Sequence, residues 1–385
     1  MTRMGSNGPG LGAGSAPAGP RRRAARWCAA GVSVAAVVGT GLVGASAALA
    51  SPTVTIPVGC SVSALNHAIF FAPSNAILVL RAGCHYHPSG ALNTIHRNLT
   101  IQGSNDTIAP FGTFTVLTND AADVTINQLT IQNAFATAGG GAINNELGGH
   151  LTVTNSRFVG DDGKTGGAIN NEAGSALAVT NTSFIDNAAS GAGGGAIANA
   201  ILATTTVNGS TFIGNDATGG SGGAIGSLGG SVTVTGPITS LFTDNSAHVD
   251  GGAIAGILGA FNVTKATFTF NHATDFGGAV ANFGAPSTVA TSSFTHNSAG
   301  QRGGAIATAS SLDLTSDYIS LNFASHHGGG IDLAGGNTSL TTTDVVGNAS
   351  IMSGGGIYRS AGSLNLNFNS LVTLNHPNNC SGVSC

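Results

Sequence analysis

The side chains with the richest chemistry recur at fixed steps along the chain. Asp186 and Asp244 hold the same place in a repeated pattern, two repeats apart with Gly214 between them, and Asp161-Asp162 falls one repeat before Asp186. Glycoside hydrolysis uses two carboxylates, about 5–9.5 Å apart, as acid and base or as acid and nucleophile. If the repeats are stacked strands, Asp186 and Asp244 are about 9–10 Å apart, twice the inter-strand spacing. Solvated turn carboxylates would give the same pattern. A second series, Asp250, Phe276, Arg302 and His327, precedes successive Gly-Gly pairs. A polysaccharide lyase needs a base to take a proton and a cation to steady the enolate-like intermediate. His327 and Arg302 could be cast in those roles and Asp250 as a calcium ligand; a solvated turn ridge is the plainer reading. No catalytic residue is assigned from these candidates.

Metal chemistry has a weaker footing. His272, His296, His326 and His327 share no ligand spacing such as His-x3-His, and the Asp-bearing nonapeptide of calcium-binding glycine repeats is missing. No metal and no cofactor is expected. Thr204-Thr205-Thr206 and Thr341-Thr342-Thr343 do not recur coil after coil, as an ice-binding face would require.

Composition narrows the partners. Arg3, Arg21, Arg22, Arg23 and Arg26 precede an apolar stretch from Trp27 to about Gly44, which ends in the small-x-small Ala48-Leu49-Ala50. That pattern predicts an export signal over residues 1–50, with an uncleaved anchor as the competing reading. Sec and twin-arginine routes both stay open. From Ser51 onward sixteen acids face seven basic residues, a formal charge of −9. Nucleic acid and anionic membranes are poor partners for such a chain. Four cysteines follow the signal, Cys60 with Cys84 and Cys380 with Cys385. An even count in an exported protein predicts disulfides, here within each cluster, with zinc ligation as the poorer alternative.

The elements that position these residues follow from an internal repeat. Gly-Gly-Ala-Ile, or a close variant, begins at Gly140, Gly166, Gly194, Gly222, Gly251, Gly277, Gly303, Gly328 and Gly354, in steps of 25 to 29 residues. Each copy leads to an alternating stretch containing Val153, Val179, Val207, Val234, Val263, Val289, Leu314, Leu340 or Leu366. A large apolar residue comes next: Phe158, Phe184, Phe212, Phe242, Phe268, Phe294, Ile319, Val345 and Leu371. Then comes Asn187, Asn215, Asn245, Asn271, Asn297, Asn322, Asn348 or Asn375, with Asp161 in the first copy. No segment has the length or period of a crossover helix. Three short strands and three turns per repeat, each strand paired with its counterpart one coil away, predict an all-β, right-handed parallel β-helix with capped ends. Apolar columns would fill its interior and Asn side chains would form a ladder. The extra Gly236-Pro237-Ile238 reads as a turn insertion, and Ser61–Phe71 as a short lid helix with Val62, Leu65 and Ile69 on one face.

Gly-Gly-Ala-Ile in phase with Phe-x-x-Asn, as in Phe184-Ile185-Asp186-Asn187, Phe212-Ile213-Gly214-Asn215 and Phe294-Thr295-His296-Asn297, resembles the repeat of the polymorphic outer membrane protein family. More broadly it resembles pectin-lyase-like right-handed β-helices. The resemblance covers about Leu129 to Asn375. It implies a surface-exposed protein, while the ten residues after Asn375 predict no translocating barrel in this sequence. The reading divides the chain into an export signal (1–50), a cap with irregular first coils (51–135), repeats (136–375) and a disulfide-bearing cap (376–385). The expected role is a secreted or cell-surface, non-enzymatic binder of extracellular glycans or surface proteins. A carbohydrate-active enzyme and a structural spacer are the alternatives; the oligomeric state is left open.

Overall fold

A computed structural model describes residues 53–385, so the expected export signal lies outside the described residues. The chain is a right-handed parallel β-helix. Every strand pairing is parallel and joins residues one coil apart, so the three apolar columns stand in register. Ile169 pairs with Ile143 and Ile197, Val179 with Val153 and Val207, and Phe184 with Phe158 and Phe212. The interior is therefore one-dimensional: each side chain packs on copies of itself above and below. Phe158 through Phe294 form a continuous stack with ring centroids 4.6–5.0 Å apart and nearly parallel planes. All six rings are fully buried.

The coils from Ile143 to Ala324 have four strand segments where three were expected. After the third, which carries the Phe, the chain turns sharply and makes a two-residue fourth strand, as at Ala188–Ala189, Asp216–Ala217 and Ser298–Ala299. The turn is a left-handed residue: Asp186, Gly214, Asp244, Phe270 and His296 all have φ between 53° and 63°. The Asn that follows fixes it. In each coil from Asn187 to Asn348 the side-chain Nδ2 donates to Oδ1 of the next Asn at 2.9–3.1 Å and also to a carbonyl of the preceding coil. Each Oδ1 also accepts the backbone N–H of the previous Asn. A polar row can stay fully buried because every donor and acceptor in it is used.

The two glycines of each repeat do different work. Gly277 has φ of 67°, a conformation open to glycine at little cost. Gly278 has ordinary backbone angles, but a Cβ there would overlap the carbonyl of Gly304 on the next coil.

Both ends carry their expected disulfides, Cys60–Cys84 and Cys380–Cys385, with Cα separations of 5.2 and 6.1 Å. The N-terminal end is lidded by helix α1 (Val62–Phe71), capped by Ser61 Oγ, which accepts the Ala64 N–H at 3.1 Å; Leu65, Ala68 and Ile69 plug the core. The C-terminal end is more open. Cys380–Ser381 covers only Ile357–Tyr358 of the last coil, leaving Leu366 partly exposed. One column assignment needs correction there. Val372, and not Leu371, pairs with Val345; Leu371 pairs with Asp344 and is half exposed. The Phe-x-x-Asn spacing favours Val372, three residues before Asn375, whereas side-chain size favoured Leu371. The insertion at Gly236–Ile238 sits in a turn between strands Ser231–Thr235 and Ser240–Thr243.

Candidate functional site: a groove beside the Gly-Gly corner

Asp186 and Asp244 lie at a different place in the coil from Arg302 and His327. Asp186 and Asp244 occupy the left-handed corner before the Asn row, where both are exposed, and the Asp186 carboxylate lies over Gly214. Asp161 does not join them. It is completely buried at the head of the Asn row, with Oδ1 accepting the Ala134 N–H at 2.9 Å and Oδ2 without a partner. Burial raises its pKa well above the usual carboxylate range.

Arg302 and His327 stand together on a different strip. Phe276, Arg302, His327 and Ser353 form a bridged column just before the Gly-Gly corner. Just after the corner a second column faces outward: Ala198, Gly226, Ala255, Ala281, Ala307, Asp332 and Tyr358, in register. The two columns are the sides of one groove. Between Gly193 and Ser221 on one side and Ala200, Leu228 and Ile257 on the other, the small residues leave it open, with a volume of about 240 Å³. Further along, Phe276 and Phe283 meet edge to face at 6.1 Å as a lintel, and Ala255, Ala281 and Ala307 are fully buried.

Beyond that aromatic lintel the polar groups gather. The Arg302 guanidinium carbon lies 5.6 Å from the centroid of the Tyr358 ring. His327 stacks on the same ring at 4.1 Å, with its Nδ1 2.9 Å from Ser353 Oγ. Burial, then the charge of Arg302, lowers the His327 pKa, which favours neutral imidazole. Asp332 is 2% exposed, and its Oδ1 has no hydrogen-bond partner. Burial pushes its pKa up to about 6 while Arg302 pulls it down. Asp250, on the same wall as Arg302, accepts the Phe276 N–H at 3.2 Å and is raised by burial to about 6. At the other end of the strip Asp120, Glu146 and Glu172 follow one another on successive coils. Burial raises Glu146, and the charges of Glu172 and Asp120 add to the shift.

Asp332 and a second buried amide row went unnoticed in the sequence. In that row Asn119, Asn145 and Asn171 each donate Nδ2 to Oδ1 of the next coil at 2.8–2.9 Å, ending with Asn199 donating to Ser227. Its signal was present as Ile-x-Asn in Ile143-Asn144-Asn145, Ile169-Asn170-Asn171 and Ile197-Ala198-Asn199. His272, His296 and His326 do not assemble with His327, and among the described residues no group of three or more metal-ligating side chains forms.

This geometry frames the comparisons with known proteins. The Chlamydia polymorphic membrane protein repeat matches residues 239–257 and 291–309, each carrying a Phe and the Asn that follows it. The two matched stretches together span 38 of the chain's 385 residues. The first stretch includes Asp250, Ala255 and Ile257 of the groove, and the second includes Arg302 and Ala307. No curated protein matches the chain. Among solved structures it is similar to the catalytic unit of a thermostable GH87 alpha-1,3-glucanase from Streptomyces thermodiastaticus, at 12% identity and TM-score 0.44, covering 85% of this chain and 70% of that one. It is also similar to tailspike protein 3 of bacteriophage CBA120, at 13% identity and TM-score 0.33, covering 84% and 59%. The third is an alginate lyase from Paenibacillus, at 14% identity and TM-score 0.32, covering 82% and 98%. Among the described residues no helix is long and apolar enough to cross a membrane.

Proposed function

We propose that this chain is a secreted or cell-surface binding protein that holds an extended glycan along the groove and does not cleave it. The observation that carries the reading is the groove floor: Ala198, Gly226 and Ala255 in register, flanked by Leu228 and Ile257, with no titratable group among its lining residues. Such a floor accepts the flat apolar face of a sugar ring. At about 240 Å³ it is smaller than the roughly 300–1,000 Å³ of small-molecule sites. That size suits one unit of a polymer that continues outside. The charge of −9 from Ser51 onward favours neutral or cationic glycans over acidic ones. Affinity per site is expected in the micromolar-to-millimolar range, with avidity from many copies on a surface. The repeat match and the two disulfides fit an exported protein in an oxidising compartment.

A lyase-type enzyme is the second reading, and one observation favours it: neutral His327 as base beside Arg302 as cation. One experiment separates the two. The protein from Ser51 onward is immobilised against neutral, acidic and cationic glycans, with and without chelator, while products are followed. Retention without products, abolished by Ala198→Leu in the floor, is the expected result. Reducing or unsaturated ends would make it an enzyme. Silence across glycans, proteins and cells would make it a spacer.

A further inference from the structure

We infer that the polar end of the groove is a hydroxyl-reading subsite for a neutral sugar unit, in which Asp332 accepts from, and Arg302 donates to, the same ring hydroxyl. The inference rests on the glycan reading above and sharpens it. Asp332 sits on the outward column between Ala307 and Tyr358, yet it is 2% exposed and its Oδ1 meets no donor. A buried, unpaired carboxylate oxygen is costly, and natural sites keep one where something else supplies the donor. Arg302 makes no side-chain hydrogen bond and no ion pair among the described residues, although its charge acts on Asp332. Both groups border Tyr358, Asp332 as its register neighbour and Arg302 over its ring, without forming an ion pair.

The chemistry of the gap selects its occupant. It must donate to a carboxylate and accept from a guanidinium. An ammonium cannot accept and a carboxylate cannot donate; a hydroxyl does both. Tyr358 adds the second element of sugar recognition, an aromatic face. His327 stacks on its ring, the Arg302 guanidinium lies over it, and its register neighbour on the next coil is the small Ser381. The contact of His327 with Ser353 holds the imidazole in place against that ring. One sugar would then stack on Tyr358 while a hydroxyl bridges Asp332 and Arg302, and the chain it belongs to would pass outside the Phe276–Phe283 pair to reach the open floor.

The test is calorimetric titration of the protein from Ser51 onward with the neutral glycan that gives the strongest retention, and with its oligosaccharides. Asp332→Asn and Arg302→Gln should each weaken binding about tenfold or more, the effect of losing a hydrogen bond to a charged group. Asp244→Asn, at the corner before the Asn row, should leave it unchanged. A monodeoxy oligosaccharide lacking the bridging hydroxyl should bind wild type as weakly as the parent sugar binds Asp332→Asn, with no further loss on the variant. Thermal melts of each variant check that the coil is intact. Unchanged binding in both variants overturns the subsite and leaves the glycan reading standing. No glycan binding by wild type overturns both. Preferential binding of oligogalacturonate, lost in Arg302→Gln but kept in Asp332→Asn, would overturn the hydroxyl bridge in favour of a carboxylate site.

Discussion

The backbone N–H of Asp161 donates to Asn187 Oδ1 at 3.0 Å, the same bond that joins each later Asn to its successor. Asp161 is thus the first rung of the amide row, with a carboxyl where every other rung has an amide. Its Oδ2 stands where the others place an Nδ2 donor, and it has no partner. A protonated carboxyl can donate from that position; an ionised one cannot.

The first prediction concerns that rung. Asp161→Asn should stabilise the protein by about 1–3 kcal/mol at neutral pH, because it restores a buried hydrogen bond and removes a buried charge. The sign with pH follows from the raised pKa. The stability due to the protonated form is complete below the unfolded pKa of about 3.9 and is lost as pH rises toward the folded one. The advantage of the Asp161→Asn variant over wild type should therefore be smallest near pH 4 and grow with pH. Denaturant titrations of both proteins from pH 4 to 8 measure it; a gain that shrinks with pH would mean Asp161 is ionised in the folded state.

The second prediction concerns the stacked interior. Phe212→Ala removes the middle of the ring stack and should cost about 3–5 kcal/mol. Asn215→Ala removes the acceptor of both the Asn187 backbone N–H and its Nδ2 and should cost about 1–3 kcal/mol. Asp216→Ala, at a half-buried outward position, should cost less than either. Unfolding midpoints of the three variants rank them. An Asp216→Ala penalty equal to that of Phe212→Ala would reverse the inward and outward faces.

Asp317 supplies a third prediction. Its carboxylate accepts the N–H groups of Ser292 and Thr315 at 2.8 and 2.9 Å, yet burial outweighs them and lifts its pKa to about 7. The stability it contributes is full below about pH 3.9 and falls as pH rises through about 7. NMR of labelled Asp carboxyl carbons should find a resonance titrating near pH 7 that Asp317→Asn removes.

The disulfides give the fourth. Replacing Cys60 and Cys84 by Ser opens a 24-residue loop and should cost about 3 kcal/mol, whereas the five-residue Cys380–Cys385 loop should contribute less. Non-reducing peptide maps should show the two pairings, and denaturation of each double variant their weights.

The sequence made the architecture legible because a solenoid repeats each decision many times. Gly-Gly-Ala-Ile and Phe-x-x-Asn located the columns, the Asn row and the Gly-Gly corner without any long-range information. The failures fall where repetition stops. In the last coil a Leu-Val pair offered two inward candidates and no Phe to choose between them. The fourth strand segment is two residues long, below the reach of any alternation pattern. The groove eluded the sequence for a different reason. Asp332 is a single acid among alanines, and its burial depends on Arg302 and Tyr358, which come from neighbouring coils 30 and 26 residues away. Arg302 and His327 were noticed as a column; what they faced could not be.

The two amide rows run in the same sense. In the row from Asn187 to Asn348, as in the shorter row from Asn119 to Asn171, each Nδ2 donates to the Oδ1 of its C-terminal neighbour, and none donates to the Oδ1 of its N-terminal one. Their dipoles add, as peptide dipoles do along a helix. The rod therefore has an electrical polarity as well as a chain direction, negative at the end nearer the helix lid and positive at the end nearer Asn379. At the negative pole sits Asp161, whose pKa burial raises. At the positive pole the last rung, Asn375, meets no further coil and donates to Asn379 of the cap instead.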